Sequence, residues 1–408
     1  MRFLVYADAV LRSIERIVGR YIMKYIKNAN LVLENGILWD AVLVVDGDHI
    51  AAFGKESEVP PPTDAQVIDA KGLYVGPGFV DIHVHGCIGN HSCLQAIEAA
   101  SYFLDHGTTT LLATPSYSQG YELFLREIQS VKAVIGTGGA AKAIGGFYME
   151  GPYTNSDYGA RSWKNPWRAP ADPEQYKVLV DEAGELARVW VIAPERDLIE
   201  PFMQYAKQVN PNVRFSVGHS EATPAQINKL KHYGICLQTH SMNATGRLPA
   251  PKGTRSAGPD EYCMVDSDIY TELICDSQGI HVNPDIQRLM IHCKGVDKMV
   301  LITDSTHVTN DNPEGLRHIT DLNFDEQGNL SGSRLTMDQA CRNIMTHTNC
   351  GIAQAFLMAS RNPARAVGLD HEIGTIAIGK KANLVFVNDR FQVDTVFLEG
   401  EIWKETVE

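Results

Sequence analysis

Residues 76–86 read GPGFVDIHVHG, a Gly-Pro-Gly turn followed by a short apolar strand that carries two histidines. Side chains alternate along a β-strand, so His83 and His85 point to the same face. Two imidazoles on one face can hold one divalent metal ion, and the turn fixes where the pair leaves the strand. The alternative is that one or both histidines only form hydrogen bonds within the fold. An H-x-H pair alone does not decide between these interpretations.

The middle of the chain alternates between short apolar runs and helical stretches. The runs with strand character are FVDIHVH, TTLLATP, AIGGFYMEGP, VWVIAPE, RFSVGHS, ICLQTHS, YTELICD and KMVLITD. Helical periodicity lies between them, for example in residues 121–136, 173–185 and 224–234. Strands that alternate with helices predict a parallel sheet. The sequence therefore predicts an α/β fold, a (β/α)8 TIM-type barrel, over residues 76–369.

Both chain ends have a different, β-rich texture. Residues 23–75 and 370–408 contain β-branched runs separated by Gly- and Asn-containing turns, which predict a small β-sandwich domain formed by both chain ends. Residues 1–22 have an amphipathic pattern with charges that interrupt any secretory signal. We interpret them as an N-terminal extension before a start-like Met23, and we expect them to be dispensable for function.

Composition excludes several classes of protein. The chain has 408 residues, of which 44% are hydrophobic and 21% charged, as in soluble globular proteins. No apolar run approaches the roughly 20 residues that span a bilayer. The net charge of −13 lacks the basic footprint of a general nucleic-acid binder. The eight cysteines include no C-x-x-C pair, which favours reduced thiols and a cytoplasmic location.

Further polar side chains stand at the ends of other predicted strands. Glu150 ends one strand, His219 and His240 end two others, and Asp304 ends the last. The carboxyl ends of barrel strands meet at one face, so we expect these side chains beside the H-x-H pair. One carboxylate and four imidazoles suit zinc, iron, manganese or cobalt. The pattern predicts a centre of one or two divalent metal ions.

Asp304 has a different predicted role. A carboxylate beside activated water can take the proton of the water as general base and later give a proton to the leaving group as general acid. The alternative is a helix N-cap, because Ser305 and Thr306 follow. The nearby metal ligands favour the catalytic interpretation.

An ordered set of longer motifs resembles the amidohydrolase superfamily and, within it, the N-acetylglucosamine-6-phosphate deacetylases. The matching segments are GPGFVDIHVHG, MEGPY, IAPE, VGHSEAT, THSMNAT, DSQGIHVNP, LITDS, LSGSRLTMDQACRN and NPARAVGL with EIGTIAIGKKANLV. They extend from about residue 76 to residue 387, which covers the predicted barrel and the β segments after it. The H-x-x-NA and LSGS-x-LTMD elements are the ones that indicate the deacetylase branch.

The resemblance implies a role for each matching position. It implies a main metal site at Glu150, His219 and His240, a second at His83 and His85 with Glu150 as bridge, and Asp304 as general base and acid. The substrate contacts that it implies are Ala160, Arg161, Asn243, Ala244, Gly279, Ile280, His281, Leu330, Ser331 and Gly332. It also implies a homodimer and a small-molecule amino-sugar phosphate as substrate, with no nucleic acid or membrane as partner.

The chain departs from the family pattern in two places. Arg161 stands where the family usually has a histidine that polarises the acetyl carbonyl, and the loop Asp276–His281 is two residues longer than the usual D-G-x-H. Both departures concern the substrate, since arginine can bind a carboxylate or a phosphate in bidentate fashion. Arg247 and Arg255 are both candidates for binding the phosphate, and their spacing does not choose between them.

These observations predict a metal-dependent amide hydrolase that removes acetyl from an N-acetyl amino-sugar phosphate. One alternative is another amidohydrolase activity, such as hydrolysis of an N-acyl amino acid or a cyclic amide, which the substituted Arg161 and the longer loop keep open. A second alternative is a catalytically inactive sugar-phosphate sensor. The sensor would require loss of a metal ligand or of Asp304, and all of these residues are present.

Overall fold

A computed structural model describes residues 22–246, 251–254, 256–308 and 310–406. The first five strands of the described residues belong to an end sheet: β1 Lys24–Leu33, β2 Gly36–Asp46, β3 His49–Gly54, β4 Gln66–Asp69 and β5 Tyr74–Pro77. The first half of β1 pairs with β4 and its second half with β5, while β2 runs antiparallel along its other edge. β5 ends at Pro77, so the last of these five strands leads directly into the first strand of the barrel.

Eight parallel strands form the barrel, in the order β15-β14-β13-β12-β11-β10-β9-β6. They are β6 Phe79–Val84, β9 Thr108–Ala113, β10 Ile144–Met149, β11 Ala187–Ile192, β12 Arg214–Val217, β13 Ile235–Gln238, β14 Tyr270–Ile274 and β15 Met299–Ile302. A short hairpin, β7 Gly86–Cys87 and β8 Asn90–His91, follows β6. A parallel bridge between Val84 and Ser305 joins the first strand to the continuation of the last. Each barrel strand falls on a predicted run, so the predicted barrel is confirmed.

Helices connect the strands. They are α1 Ala96–Asp105, α2 Tyr121–Val134, α3 Pro173–Ala183, α4 Ile199–Val209, α5 Pro224–Leu230, α6 Pro259–Val265, α7 Pro284–Lys294, α8 Met337–Thr348, α9 Ile352–Phe356 and α10 Asn362–Ala366, with a π-helical turn at Leu357–Arg361. Several begin at a capping residue followed by proline: Asp172 caps α3, and Thr223 forms a capping box with Gln226 at α5. The three stretches predicted as helices are confirmed as α2, α3 and α5.

The C-terminal segment completes the end sheet. Strands β18 Leu384–Val387, β19 Val393–Leu398 and β20 Glu401–Glu405 extend it in the order β20-β19-β18-β5-β1-β2-β3. Its apolar side chains from both ends pack into one cluster, in which the rings of Phe386 and Phe397 stack at 5.5 Å. Both chain ends therefore contribute strands to one eight-stranded sheet, in the place where the sequence predicted a small β-sandwich. The domain limits predicted from the sequence, residues 23–75 with 370–408 for the β domain and residues 76–369 for the barrel, stay predictions.

A second hairpin lies after the last barrel strand and reaches over the barrel mouth. It consists of β16 Leu322–Phe324 and β17 Leu330–Ser333. Ser333 donates a backbone hydrogen bond of 2.8 Å to the carbonyl of Asp304 and accepts one of 3.0 Å from Thr306. These two hydrogen bonds connect the hairpin to the segment that carries Asp304, the predicted general base and acid.

Two expectations from composition can be compared with this structure. All eight cysteines lie in the described ranges, and none of them forms a disulfide. Within the described ranges there is also no helix whose length and hydropathy would let it cross a bilayer. Residues 1–21, most of the predicted N-terminal extension, lie outside the described residues.

Candidate metal centre and cavity

The carboxyl ends of three barrel strands bring Glu150, His219 and His240 together, and we call these residues the Glu150 cluster. Oε1 of Glu150 lies 2.8 Å from Nε2 of His219 and 3.2 Å from Nε2 of His240. The two Nε2 atoms are 3.1 Å apart. All three side chains are buried. Three ligand atoms of the right chemistry therefore converge on one point.

A second group, His83, His85 and Asp304, lies against the first, and we call it the His83 cluster. Oδ1 of Asp304 is 3.6 Å from Nε2 of His83 and 3.5 Å from Nε2 of His85. Glu150 connects the two clusters, because its Oε1 is 3.5 Å from His83 and its Oε2 is 3.0 Å from His85. Each cluster on its own has the spacing of a metal site.

Three residues of these clusters have a backbone that few non-glycine residues adopt. The φ angles are +45° at His219, +27° at His240 and +47° at Asp304. Such conformations persist only where the surrounding structure holds them, and they concentrate at functional sites. Here backbone hydrogen bonds hold them: the carbonyl of His219 accepts from Asn155 at 2.8 Å, and the N–H of Asp304 donates to His83 at 3.0 Å. The strain turns each side chain from its strand end into the barrel mouth.

Burial and neighbouring charges shift the pKa values of these groups. Burial raises the pKa of Glu150, but the charge of His83 and the hydrogen bonds of His219 and His240 outweigh it and hold the pKa well below its usual value. Burial lowers the pKa of His219 despite the nearby carboxylate, which favours the neutral imidazole that metals bind. Burial also acts to lower the pKa of His83, but the carboxylates of Asp304 and Glu150 raise it well above its usual value. A proton and a metal ion therefore compete for His83.

The donor set fits a divalent transition metal. Imidazole nitrogens with carboxylate oxygens are the ligands of zinc, iron, manganese and cobalt sites. In the described part of the chain, Nε2 of His83 is buried and has no hydrogen-bond partner, although it faces two carboxylates. A buried polar atom without a partner is rare and needs an explanation. A cation bound between these side chains supplies one.

Five of the six cluster residues, all except His83, line a cavity of about 560 Å³. Several residues predicted to contact substrate line its wall, namely Ala160, Arg161, Asn243, Ala244, Leu330, Ser331 and Gly332. Close packing explains two glycines of this wall. A Cβ on Gly159 would lie 2.5 Å from the ring of His219, and one on Gly332 would lie 2.6 Å from the carbonyl of Asp304. The wall segments therefore rest directly on the cluster residues.

Arg161, the departure from the family pattern, lies in this wall. Its Nε donates to Oε2 of Glu326 at 3.2 Å, and its NH1 donates to the hydroxyl of Ser331 at 3.3 Å. Lys164 reaches Oε1 of the same Glu326 at 3.2 Å. The guanidinium is thus held between the loop after β10 and the hairpin β16–β17, in the wall of the cavity that the cluster residues line.

Other predicted substrate residues lie elsewhere. Gly279, Ile280 and His281 are not among the described residues that line the cavity. His281 is buried instead, with Nδ1 3.0 Å from Asp276 and Nε2 3.2 Å from the carbonyl of Gly332, so it supports the wall from behind. The direct contact of this loop with substrate stays a prediction. Arg247 and Arg255 both lie outside the described residues.

Several residues of the cavity were not predicted from the sequence. Tyr117 packs its ring 5.1 Å from that of His219 and donates a 2.7 Å hydrogen bond to the carbonyl of Ala160. It follows the predicted strand TTLLATP, so its place after a strand end was the available signal. Glu326 and Lys164 carry no such signal, because only the fold brings their distant segments together. His307 also lines the cavity beside His85.

Comparisons with known proteins agree with the motifs. The model of the amidohydrolase family matches residues 74–403. The N-acetylglucosamine-6-phosphate deacetylase of Bacillus subtilis (strain 168) is 27% identical over 392 residues, covering 92% of this chain and 96% of that protein. The N-acetylgalactosamine-6-phosphate deacetylase of Escherichia coli O157:H7 is 28% identical over 394 residues, covering 91% and 97%.

A solved structure gives the same result for the fold. The crystal structure of N-acetylglucosamine-6-phosphate deacetylase from Pasteurella multocida superposes with a TM-score of 0.79 at 27% identity, covering 94% of this chain and 100% of that one. The likeness extends over the barrel and the end sheet together. The resemblance stated from the motifs is confirmed.

Proposed function

The chain belongs to the amidohydrolase family, and from that premise we propose that it removes the acetyl group of N-acetylglucosamine 6-phosphate or a related N-acetyl amino-sugar phosphate, releasing acetate and the free amine. One observation carries the proposal: the Glu150 cluster lines a single cavity together with His85 and Asp304 of the His83 cluster. The deacetylases named above, which match over nine-tenths of the chain, support the choice of substrate.

Glu150, His219 and His240 would hold one divalent ion, and His83 and His85 would hold a second with Glu150 between them. Zinc is the proposed metal, because it readily takes imidazole and carboxylate ligands. A divalent ion in this place lowers the pKa of bound water towards neutrality and polarises a carbonyl oxygen. The burial of the ligands keeps competing bulk water away and strengthens every charge interaction within the site.

Asp304 carries the proton transfers. Its Oδ1 takes a proton from the attacking water and delivers it to the amine nitrogen as the C–N bond breaks. Glu150 is engaged by four histidines, so Asp304 is the carboxylate of the two clusters that is left for this work. Its backbone hydrogen bonds to His83 and Ser333 fix the position of the group between the floor and the hairpin wall.

Arg161 is proposed to stabilise the developing oxyanion of the acyl group. Arg161→Met removes the guanidinium and keeps a side chain of similar length, so turnover should fall by about 10²-fold, as when one oxyanion donor is lost. Steady-state kinetics would show the loss mainly in kcat. Arg168→Met is the control, because Arg168 lies on the same segment but donates outward to Asp157 and to the carbonyl of Ser162. An unchanged kcat with a raised KM would reassign Arg161 to ground-state binding.

The remaining wall residues, Asn243, Ala244 and Leu330–Gly332, are proposed to position the sugar.

A homodimer and a cytoplasmic location are proposed by analogy with the deacetylases that the chain resembles. Sedimentation velocity on the purified protein tests the first of these, with a single species of twice the 45.0 kDa chain mass expected.

The alternative is another amidohydrolase activity on an N-acyl amino acid or a cyclic amide. Arg161 supports this alternative, because it lines the same cavity and an arginine there can bind a substrate carboxylate. A substrate panel separates the two: N-acetyl amino sugars with and without a 6-phosphate, N-acetyl amino acids and cyclic amides, each followed by release of amine. We expect the highest kcat/KM for a 6-phosphate. A preference for an N-acyl amino acid or a cyclic amide would favour the alternative.

A further inference from the structure

A carboxylate that the proposed mechanism does not use lies beside the His83 cluster. Glu272, on β14, is fully buried. Its Oε1 accepts a 2.7 Å hydrogen bond from the hydroxyl of Tyr148, and its Oε2 accepts one of 3.2 Å from the main-chain N–H of His240. Oε2 is also 3.5 Å from Nδ1 of His83. Tyr148 is on β10, with three strands between it and β14, so its hydrogen bond crosses the barrel interior.

The surroundings of Glu272 do not neutralise it. Barrel interiors are usually filled with branched apolar side chains, and an isolated buried carboxylate is costly. Among the described residues, the polar contacts of its carboxylate group are the three just given, and none is with a lysine or an arginine. Of these three contacts, the imidazole of His83 is the group that can place a positive charge beside the carboxylate of Glu272.

Glu272 also determines which nitrogen of His83 faces the metal clusters. A carboxylate beside Nδ1 favours the tautomer with the proton on that nitrogen, and Nε2 then faces Glu150 at 3.5 Å and Asp304 at 3.6 Å. Tyr148 fixes the same ring from its face, with centroids 4.5 Å apart and planes at 27°. One tyrosine thus holds both the histidine and the carboxylate that orients it.

We propose that Glu272, held by Tyr148, is a positioning residue that prepares His83 for a metal ion in the His83 cluster and supplies part of the counter-charge of that ion. Ligating histidines commonly donate their other ring N–H to a carboxylate, which fixes the tautomer and makes the ligand more basic. The proposal rests on the proposed function and goes further, because it gives a role to a carboxylate that belongs to neither cluster.

Titration of metal-free protein with Co²⁺ tests this without any assay of activity. Absorbance of the bound ion and elemental analysis after dialysis report how many equivalents bind and how tightly. We expect two equivalents in the unaltered protein. Glu272→Gln keeps the shape and should weaken the second equivalent by about 10- to 100-fold, the usual effect of losing such a partner, with the first unchanged. Tyr148→Phe should act in the same direction but less strongly.

Asp81→Asn is the matched control. Asp81 is a second fully buried carboxylate, but it approaches His83 only at the main-chain N–H, at 3.4 Å, and otherwise accepts a hydrogen bond from Thr303. A general effect of removing a buried carboxylate would weaken binding of the second ion in Asp81→Asn as well as in Glu272→Gln. The proposed role of Glu272 leaves this control close to the unaltered protein.

The outcomes are distinguishable. Equal affinity for the second ion in the unaltered protein and in Glu272→Gln would overturn the proposal. If Glu272→Gln does not fold, Tyr148→Phe with unaltered affinity would overturn it as well. Binding of one ion only by the unaltered protein would contradict this inference and leave the Glu150 cluster and the proposed hydrolase standing. Binding of none would instead contradict the proposed function itself.

Discussion

Glu150→Gln should give folded protein that has lost both its metal and its turnover. The carboxylate lies within 3.5 Å of the Nε2 atoms of four histidines, with both oxygens engaged, so this side chain contacts both clusters. An amide has one acceptor oxygen and no charge, and its NH₂ group cannot accept from an imidazole. The loss of metal affinity should exceed the 10- to 100-fold effect of removing an outer partner. Elemental analysis and turnover on one preparation measure both.

Glu127→Gln is the control for removal of a buried carboxylate. Glu127 lies outside both clusters, 3.3 Å from His91, and accepts from the backbone of Ser116. This variant should keep its metal even if its thermal midpoint falls. Metal content and turnover that survive in Glu150→Gln would remove Glu150 from the centre and leave the proposed mechanism without its main ligand.

Asp304→Asn should lower turnover by about 10²- to 10⁴-fold, the usual contribution of a general acid or base. The substitution keeps the shape of the side chain and removes its ability to take and return a proton. Substrate affinity should change far less, since the group acts on the reacting atoms. The ion of the Glu150 cluster should stay bound, because that cluster does not include Asp304.

Turnover, metal stoichiometry and substrate binding of Asp304→Asn need to come from the same preparation. Near-normal turnover would remove Asp304 from the mechanism. Loss of metal together with activity would make it a ligand of the His83 cluster, where its Oδ1 is 3.5 to 3.6 Å from both imidazoles, and would leave the proton transfers unassigned.

Much of this architecture could be predicted from the sequence because its signals are local. Short apolar strands alternating with capped helices specify a parallel barrel, and polar residues at strand ends then have to meet at one face. Glu150, His219 and His240 were placed together by this reasoning alone. Their roles as ligands, like the zinc, the dimer and the domain limits, stay predictions.

What could not be predicted depends on contacts between distant segments. The motif around His281 indicates a substrate loop, but the side chain turns to Asp276 and supports the wall from behind. Glu326 meets Arg161 only because the hairpin after β15 folds over the mouth. Glu272 lies within YTELICD, a run that looks like an ordinary buried strand, and its neighbours Tyr148 and His83 come from two other barrel strands.

The most direct test of the account is acetate release from N-acetylglucosamine 6-phosphate by the same protein with and without metal. Protein stripped with a chelator, then reloaded with zinc, should release acetate and free amine in equal amounts, and the unphosphorylated sugar should be a much poorer substrate. Stripped protein should be inactive until it is reloaded. Full activity in the presence of chelator, or no acetate from any N-acetyl amino-sugar phosphate after zinc is bound, would contradict the account.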